Sequence, residues 1–124
     1  MAKKFFVFTS HKLTQEQIDD AISKFDVQEF IYLPDELQQK WSNVPADLIS
    51  LNDVVRPFYK FLYENTKQGD VIMIQGDFGL SYDLINYAKS LDLIPIYATT
   101  QRNSIEKDGV KISVFKHVIF REYN

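Results

Sequence analysis

Four consecutive apolar residues, Val71-Ile72-Met73-Ile74, mark a strand covered on both faces, the pattern of a central strand in a parallel sheet. Gly69-Asp70 signals a turn before it, and Gly76 and Gly79 after it offer points where the backbone can bend sharply. Leu80, Leu84, Ile85, Ala88 and Leu91 then fall on one helical face. Gln75 to Gly79 is therefore expected to be a strand-to-helix turn at the carboxyl end of a central strand. Upstream, Lys4 to Thr9 reads as a first strand. Thr14 opens a helix as N-cap, with Gln17 completing a capping box and Ile18, Ala21, Ile22 and Phe25 as the buried stripe. Gln28 to Leu33 reads as a second strand closed by Pro34. Pro34 to Pro45 shows no regular pattern; its Trp41, the single tryptophan, reads either as a lid over the core edge or as a ligand-stacking ring.

Leu48, Leu51, Val54, Val55, Phe58 and Leu62 repeat at helical spacing through Pro57, which predicts a kink or two pieces meeting at Arg56-Pro57. Leu93 to Ala98 is another apolar strand, with Thr99-Thr100-Gln101-Arg102 as its exit. Val110 to Phe115 and Val118 to Tyr123 alternate as strands do, forming either one long bent strand or two joined near Lys116-His117. Strands alternating with helices predict an α/β fold: a Rossmann-like, mostly parallel sheet with helices on both faces and a C-terminal antiparallel β edge. Residues 1–124 read as a single domain of that kind.

Composition narrows the function classes. Hydrophobic residues at 45% and charged residues at 25% suit a soluble globular protein. Ten Phe and seven Tyr are a high aromatic load, so some rings are expected at a pocket or interface. The absence of cysteine removes disulfides, thiolate metal sites and thiol nucleophiles, which fits a cytoplasmic location. A net charge of −3 argues against wholesale binding of long nucleic acid. Phe5 to Phe8 is too short for a secretory h-region, and no apolar run approaches membrane length.

In this fold the carboxyl ends of the strands share one edge, where ligands bind. Three exits are expected to converge there: Ser10-His11, Gln75 to Gly79, and Thr99 to Arg102. They offer hydroxyls, amide donors, an imidazole, a carboxylate and a guanidinium, a set suited to an oxyanion such as phosphate. No metal is expected, because His11 and Asp77 are too few ligands and no His-rich or Cys-rich spacing exists. Each residue has a second reading. His11 can cap the first helix through its ring, Asp77 can cap the helix after Gly79, Arg102 can be a solvated charge, and His117 can lie on an exposed strand face. The glycines match neither a Walker A loop nor a full dinucleotide fingerprint, and Gln75-Gly76-Asp77 lacks the serine of a nucleophile elbow.

Five segments taken together carry a family resemblance. Phe8 to Thr14 (FTSHKLT), Phe30 to Pro34 (FIYLP), Gln75 to Gly79 (QGDFG), Ala98 to Arg102 (ATTQR) and Val114 to Arg121 (VFKHVIFR) come in an order that resembles the CRISPR-associated Csx-twenty family. The likeness spans nearly the whole chain and implies a homodimeric ring nuclease that opens cyclic oligoadenylate second messengers, typically cyclic tetra-adenylate, without cofactor. It also places Ser10, His11, Gln75, Gly76, Asp77, Phe78, Gly79, Thr99, Thr100 and Arg102 at the ligand, with Lys116, His117 and Arg121 matching near the C-terminus. On chemical grounds His11 is the expected general acid or base, and Arg102 with the Gly76 to Gly79 amides the phosphate clamp. A non-cleaving sensor would use the same donors.

Overall fold

The computed structural model describes residues 3–124. Nine elements follow in order: β1 (Lys3–Phe8), α1 (Gln15–Phe25), β2 (Val27–Tyr32), α2 (Asp35–Ser42), α3 (Asn52–Asn65), β3 (Val71–Ile74), α4 (Phe78–Ser90), β4 (Ile94–Lys107) and β5 (Val110–Glu122). They build one five-stranded sheet of order β2-β1-β3-β4-β5. β2, β1, β3 and β4 run parallel, and β5 pairs antiparallel along the edge.

Alternation along β1 explains the layers. Phe5 and Val7 point into a cluster with Leu13, Ala21, Met73, Ile96 and Phe120, against which Ile18 and Phe25 of α1 pack. Phe6 and Phe8 point the other way, into a larger cluster with Trp41, Phe58, Leu62, Leu80 and Leu84 from α2, α3 and α4. β3 is buried along its whole length, as its unbroken apolar run requires. The Thr14 capping box forms as its spacing predicts, with Gln17 N–H donating to Thr14 Oγ1 at 3.2 Å and Thr14 N–H to Gln17 Oε1 at 3.0 Å. Gly69 adopts a φ of +91°, the left-handed turn expected before β3. The buried Asp70 beside it accepts from Lys4 N–H at 3.0 Å and Lys67 N–H at 2.9 Å, tying the starts of β1 and β3 together.

Several expectations are corrected, and two open alternatives, for Trp41 and for the β5 region, are settled. The stretch read as irregular after Pro34 contains α2, whose first turn carries Asp35 and Glu36 and whose buried face is little more than Leu37 and Trp41. So short a stripe leaves hardly any periodicity to read. Trp41 is 2% exposed and sits edge-on to Phe8 and Phe58, so it belongs to the core edge and not to a ligand surface. α3 starts at Asn52, not near Leu48, and runs through Pro57 as one helix, not two pieces. Thr99 to Arg102 is not a loop: β4 continues straight through it to Lys107. The β5 region is one strand, with a register shift opposite Ala98 to Thr100. Asp108 and Gly109 both take left-handed φ values, 54° and 77°, the two-residue turn that suits the twist of a hairpin.

Candidate functional site

The strand order reverses between β1 and β3: the chain leaves β1 toward β2 on one side and returns to β3 on the other. A crevice is expected outside the carboxyl ends of two such strands. A cleft of about 330 Å³ lies there. Ser10, His11 and Lys12 line it from the β1 exit, Gln75 from the β3 exit and Thr100 from β4, while Met73 and Ala98 add apolar surface.

The loop after β1 is held by its own backbone and by α2. The buried Thr9 hydroxyl donates to the His11 carbonyl at 2.7 Å and accepts from the His11 N–H at 3.0 Å. Gln38 Nε2 donates to the Thr9 carbonyl at 2.9 Å and to Ser42 Oγ at 3.2 Å, and Ser42 Oγ lies 3.0 Å from Ser10 Oγ. His11 is exposed on this braced loop. Thr14, not the His11 ring, caps α1, which removes the structural alternative for that imidazole. Across the cleft Gln75 Oε1 accepts from Ala98 N–H at 2.8 Å, fixing the side chain and leaving its NH₂ as the remaining donor.

Other expected residues stand apart from the cleft. Asp77 caps α4, its Oδ2 accepting from Leu80 N–H at 3.0 Å, and borders a separate depression with Gly79, Ile49 and Tyr82. The chain does bend at Gly76, but neither Gly76 nor Gly79 takes a positive φ; among the described residues the glycines that do are Gly69 and Gly109. Gly76 is required by packing: a Cβ there would stand 2.6 Å from Trp41 Cζ2. Its N–H donates to Ser81 Oγ at 3.1 Å and is not open to a phosphate. Phe78 projects into solvent beside a groove shared by Gly76, Tyr82, Tyr97 and Tyr123.

Thr99 has a structural task. Its hydroxyl donates to the Ile119 carbonyl and accepts from the Ile119 N–H, both at 3.1 Å, filling the break in the β4–β5 ladder. Arg102 lies farther along β4, donating to Ser113 Oγ from Nε at 3.2 Å and Nη2 at 2.9 Å, with its guanidinium over the Phe115 ring. It does not line the cleft. Lys116 and His117 border a second groove of about 670 Å³, which shares Gln17 and Thr100 with the first and so continues it. His117 is no exposed face position: its side chain is 6% exposed, and Nε2 is 2.8 Å from Asp20 Oδ2 on α1.

Lys12 and Gln17 were missed in the sequence. Lys12 places the basic group at the cleft, and its adjacency to His11 in the same exit was the available signal. Among the described residues no three His, Asp or Glu side chains gather closely enough to hold a metal. No helix there is long and apolar enough to cross a membrane.

Comparison with known proteins gives a family. The family model described as "Uncharacterized protein MJ1673 family" matches residues 3–121. The "Uncharacterized protein MJ1673" of Methanocaldococcus jannaschii is 48% identical over 125 residues, covering 98% of this chain and 97% of that protein. No solved structure matches the chain.

Proposed function

The chain belongs to the MJ1673 family, and we propose that it is a ring nuclease, binding and linearising cyclic oligoadenylate in a Rossmann-like fold as a cytoplasmic homodimer. The observation that carries this reading is the cleft at the strand-order reversal, where Ser10, His11, Lys12, Gln75 and Thr100 meet. The motif resemblance supplies the substrate. Lys12 holds the phosphate, and Ser10, Gln75 and Thr100 orient it. A ribose 2′-OH attacks the adjacent phosphorus in line with the 5′-oxygen, which leaves as a free 5′-OH and closes a 2′,3′-cyclic phosphate. His11 moves the proton at one of those oxygens, a role typically worth about 10²–10⁴-fold. A ring of four nucleotides exceeds the first cleft, so it extends along the second groove past Lys116 and toward Arg102. Asp77 and Gly76 shape the β3 exit instead of touching the reacting atoms.

A non-cleaving sensor is the second reading, favoured by one observation: the cleft lining holds a single imidazole and no carboxylate. Incubating cyclic tetra-adenylate with excess protein separates the two. Products ending in 2′,3′-cyclic phosphate, formed equally in EDTA, support the nuclease. An intact ring at saturating protein supports the sensor, and no binding at all removes both.

A further inference from the structure

β3 pairs with β4 only as far as Met73 with Ile96, whereas β4 and β5 stay paired from Thr100 with His117 out to Lys107 with Val110. Eight residues at about 3.4 Å each carry this two-stranded ribbon roughly 27 Å beyond the sheet. β4 is parallel to β1 and β3, so the ribbon overhangs the same carboxyl edge that holds the cleft. Two strands alone are marginally stable in water. One face of the ribbon, the one continuing from the His117–Asp20 contact with α1, carries Arg102, Ser104 and Glu106. The opposite face carries an apolar stripe among Gln101, Asn103, Lys107 and Lys116: Ile105, Val110, Ile112 and Val114 are 52%, 59%, 45% and 43% exposed, while Phe115 lies on the first face opposite Arg102. A stripe of this kind needs a cover.

Charge indicates what covers it. Residues 99–119 hold Arg102, Lys107, Lys111 and Lys116 against Glu106 and Asp108, a net charge of +2 in a chain of −3, which leaves −5 on the remainder. On that remainder, beside the same carboxyl edge, Ile49, Phe78 and Tyr82 are strongly exposed and stand next to Asp77 and Asp83. A basic apolar ribbon and an acidic apolar patch are complementary, and both occur on one chain.

We propose that the ribbon is an exchange arm whose apolar face lies on the Ile49, Phe78 and Tyr82 patch of a second copy of this chain. Lys107, which shares that face, then meets Asp77 and Asp83 of the second copy, while Lys116 stays in the second groove. Two such contacts related by a two-fold axis close a dimer. Both carboxyl edges face each other in it, and each second groove gains a wall from the other copy. The proposal rests on the preceding reading only in naming the surface of its dimer, and the ligand is not needed to test it.

Light scattering on the eluting protein should give twice the 14.5 kDa chain mass. Ile105→Asp with Ile112→Asp should weaken the dimer at least tenfold while keeping the circular dichroism spectrum and melting transition. Phe78→Asp with Tyr82→Asp should do the same from the other side. Lys107→Glu should weaken association, and adding Asp83→Lys in the same chain should restore it. A monomeric wild type overturns the arm. So does a dimer broken by the ribbon variant but indifferent to the Phe78 and Tyr82 pair, which would mean that arms pack on arms. Ring opening is read separately on the same samples. A dimer behaving as described that leaves cyclic tetra-adenylate untouched keeps the arm and removes the nuclease.

Discussion

Gly76 shows how one missing carbon joins core and cleft. Its Cα faces the Trp41 ring so closely that Gly76→Ala must displace a fully buried indole. Overpacking of this kind costs about 1–3 kcal/mol. The variant should melt several degrees lower, and Trp41→Phe in the same chain should recover part of the loss. If Gly76→Ala melts like the parent, the close approach is not a constraint. His11 is the opposite case, an exposed side chain with no part in the α1 cap. His11→Ala should therefore leave the melt unchanged while single-turnover ring opening falls by about a hundredfold or more, with affinity near normal. A variant that binds poorly yet cuts at the parent rate when saturated removes His11 from the chemistry. The identity of Gly76 was legible in the sequence but its reason was not, because the Trp41 contact joins positions 35 residues apart through α2, an element that barely patterns.

Among the elements, those with a long apolar stripe or an unbroken apolar run were legible: β1, α1, β3 and α4 form where periodicity puts them. β4 was not, since beyond Ala98 its side chains are largely exposed and polar, and only pairing with β5 keeps the stretch extended. The Asp108-Gly109 turn was a readable sign of that hairpin. The far end of β5 is anchored by Tyr123, whose hydroxyl donates to the Ile74 carbonyl at 2.6 Å. Burial, and then the neighbouring Tyr97, push the Tyr123 phenol above its ordinary 10.0. The unfolded tyrosine loses its proton first. The contribution to stability is thus complete below about pH 10 and is lost as pH rises through the higher folded value. Tyr123→Phe should cost about 1 kcal/mol at neutral pH. Its urea midpoint should then fall less steeply than the parent's from about pH 9 to about pH 11. Parallel curves would show that Tyr123 ionisation does not report on the fold.

At the scale of the whole molecule, the α/β layering and the parallel sheet with its antiparallel edge were legible, because alternating strand and helix periods leave few ways to bury both sheet faces. The site was legible in part. Ser10, His11, Gln75 and Thr100 do converge, whereas Arg102 is carried away because its expected loop is strand, and Asp77, though on a loop, is engaged in capping α4. α2 links these scales. Through Gln38 and Ser42 it holds the β1 exit, and through Trp41 it rests on Gly76 at the β3 exit, yet it contributes nothing to the cleft lining. Its seating therefore sets the span between the two jaws of the cleft, as a caliper's screw sets its opening. Occupancy and seating must favour each other by the same factor. Under the proposed function, cyclic tetra-adenylate should slow amide hydrogen exchange across Asp35–Ser42, a helix outside the cleft lining. Unchanged exchange there at saturation would mean that the jaws are set without α2.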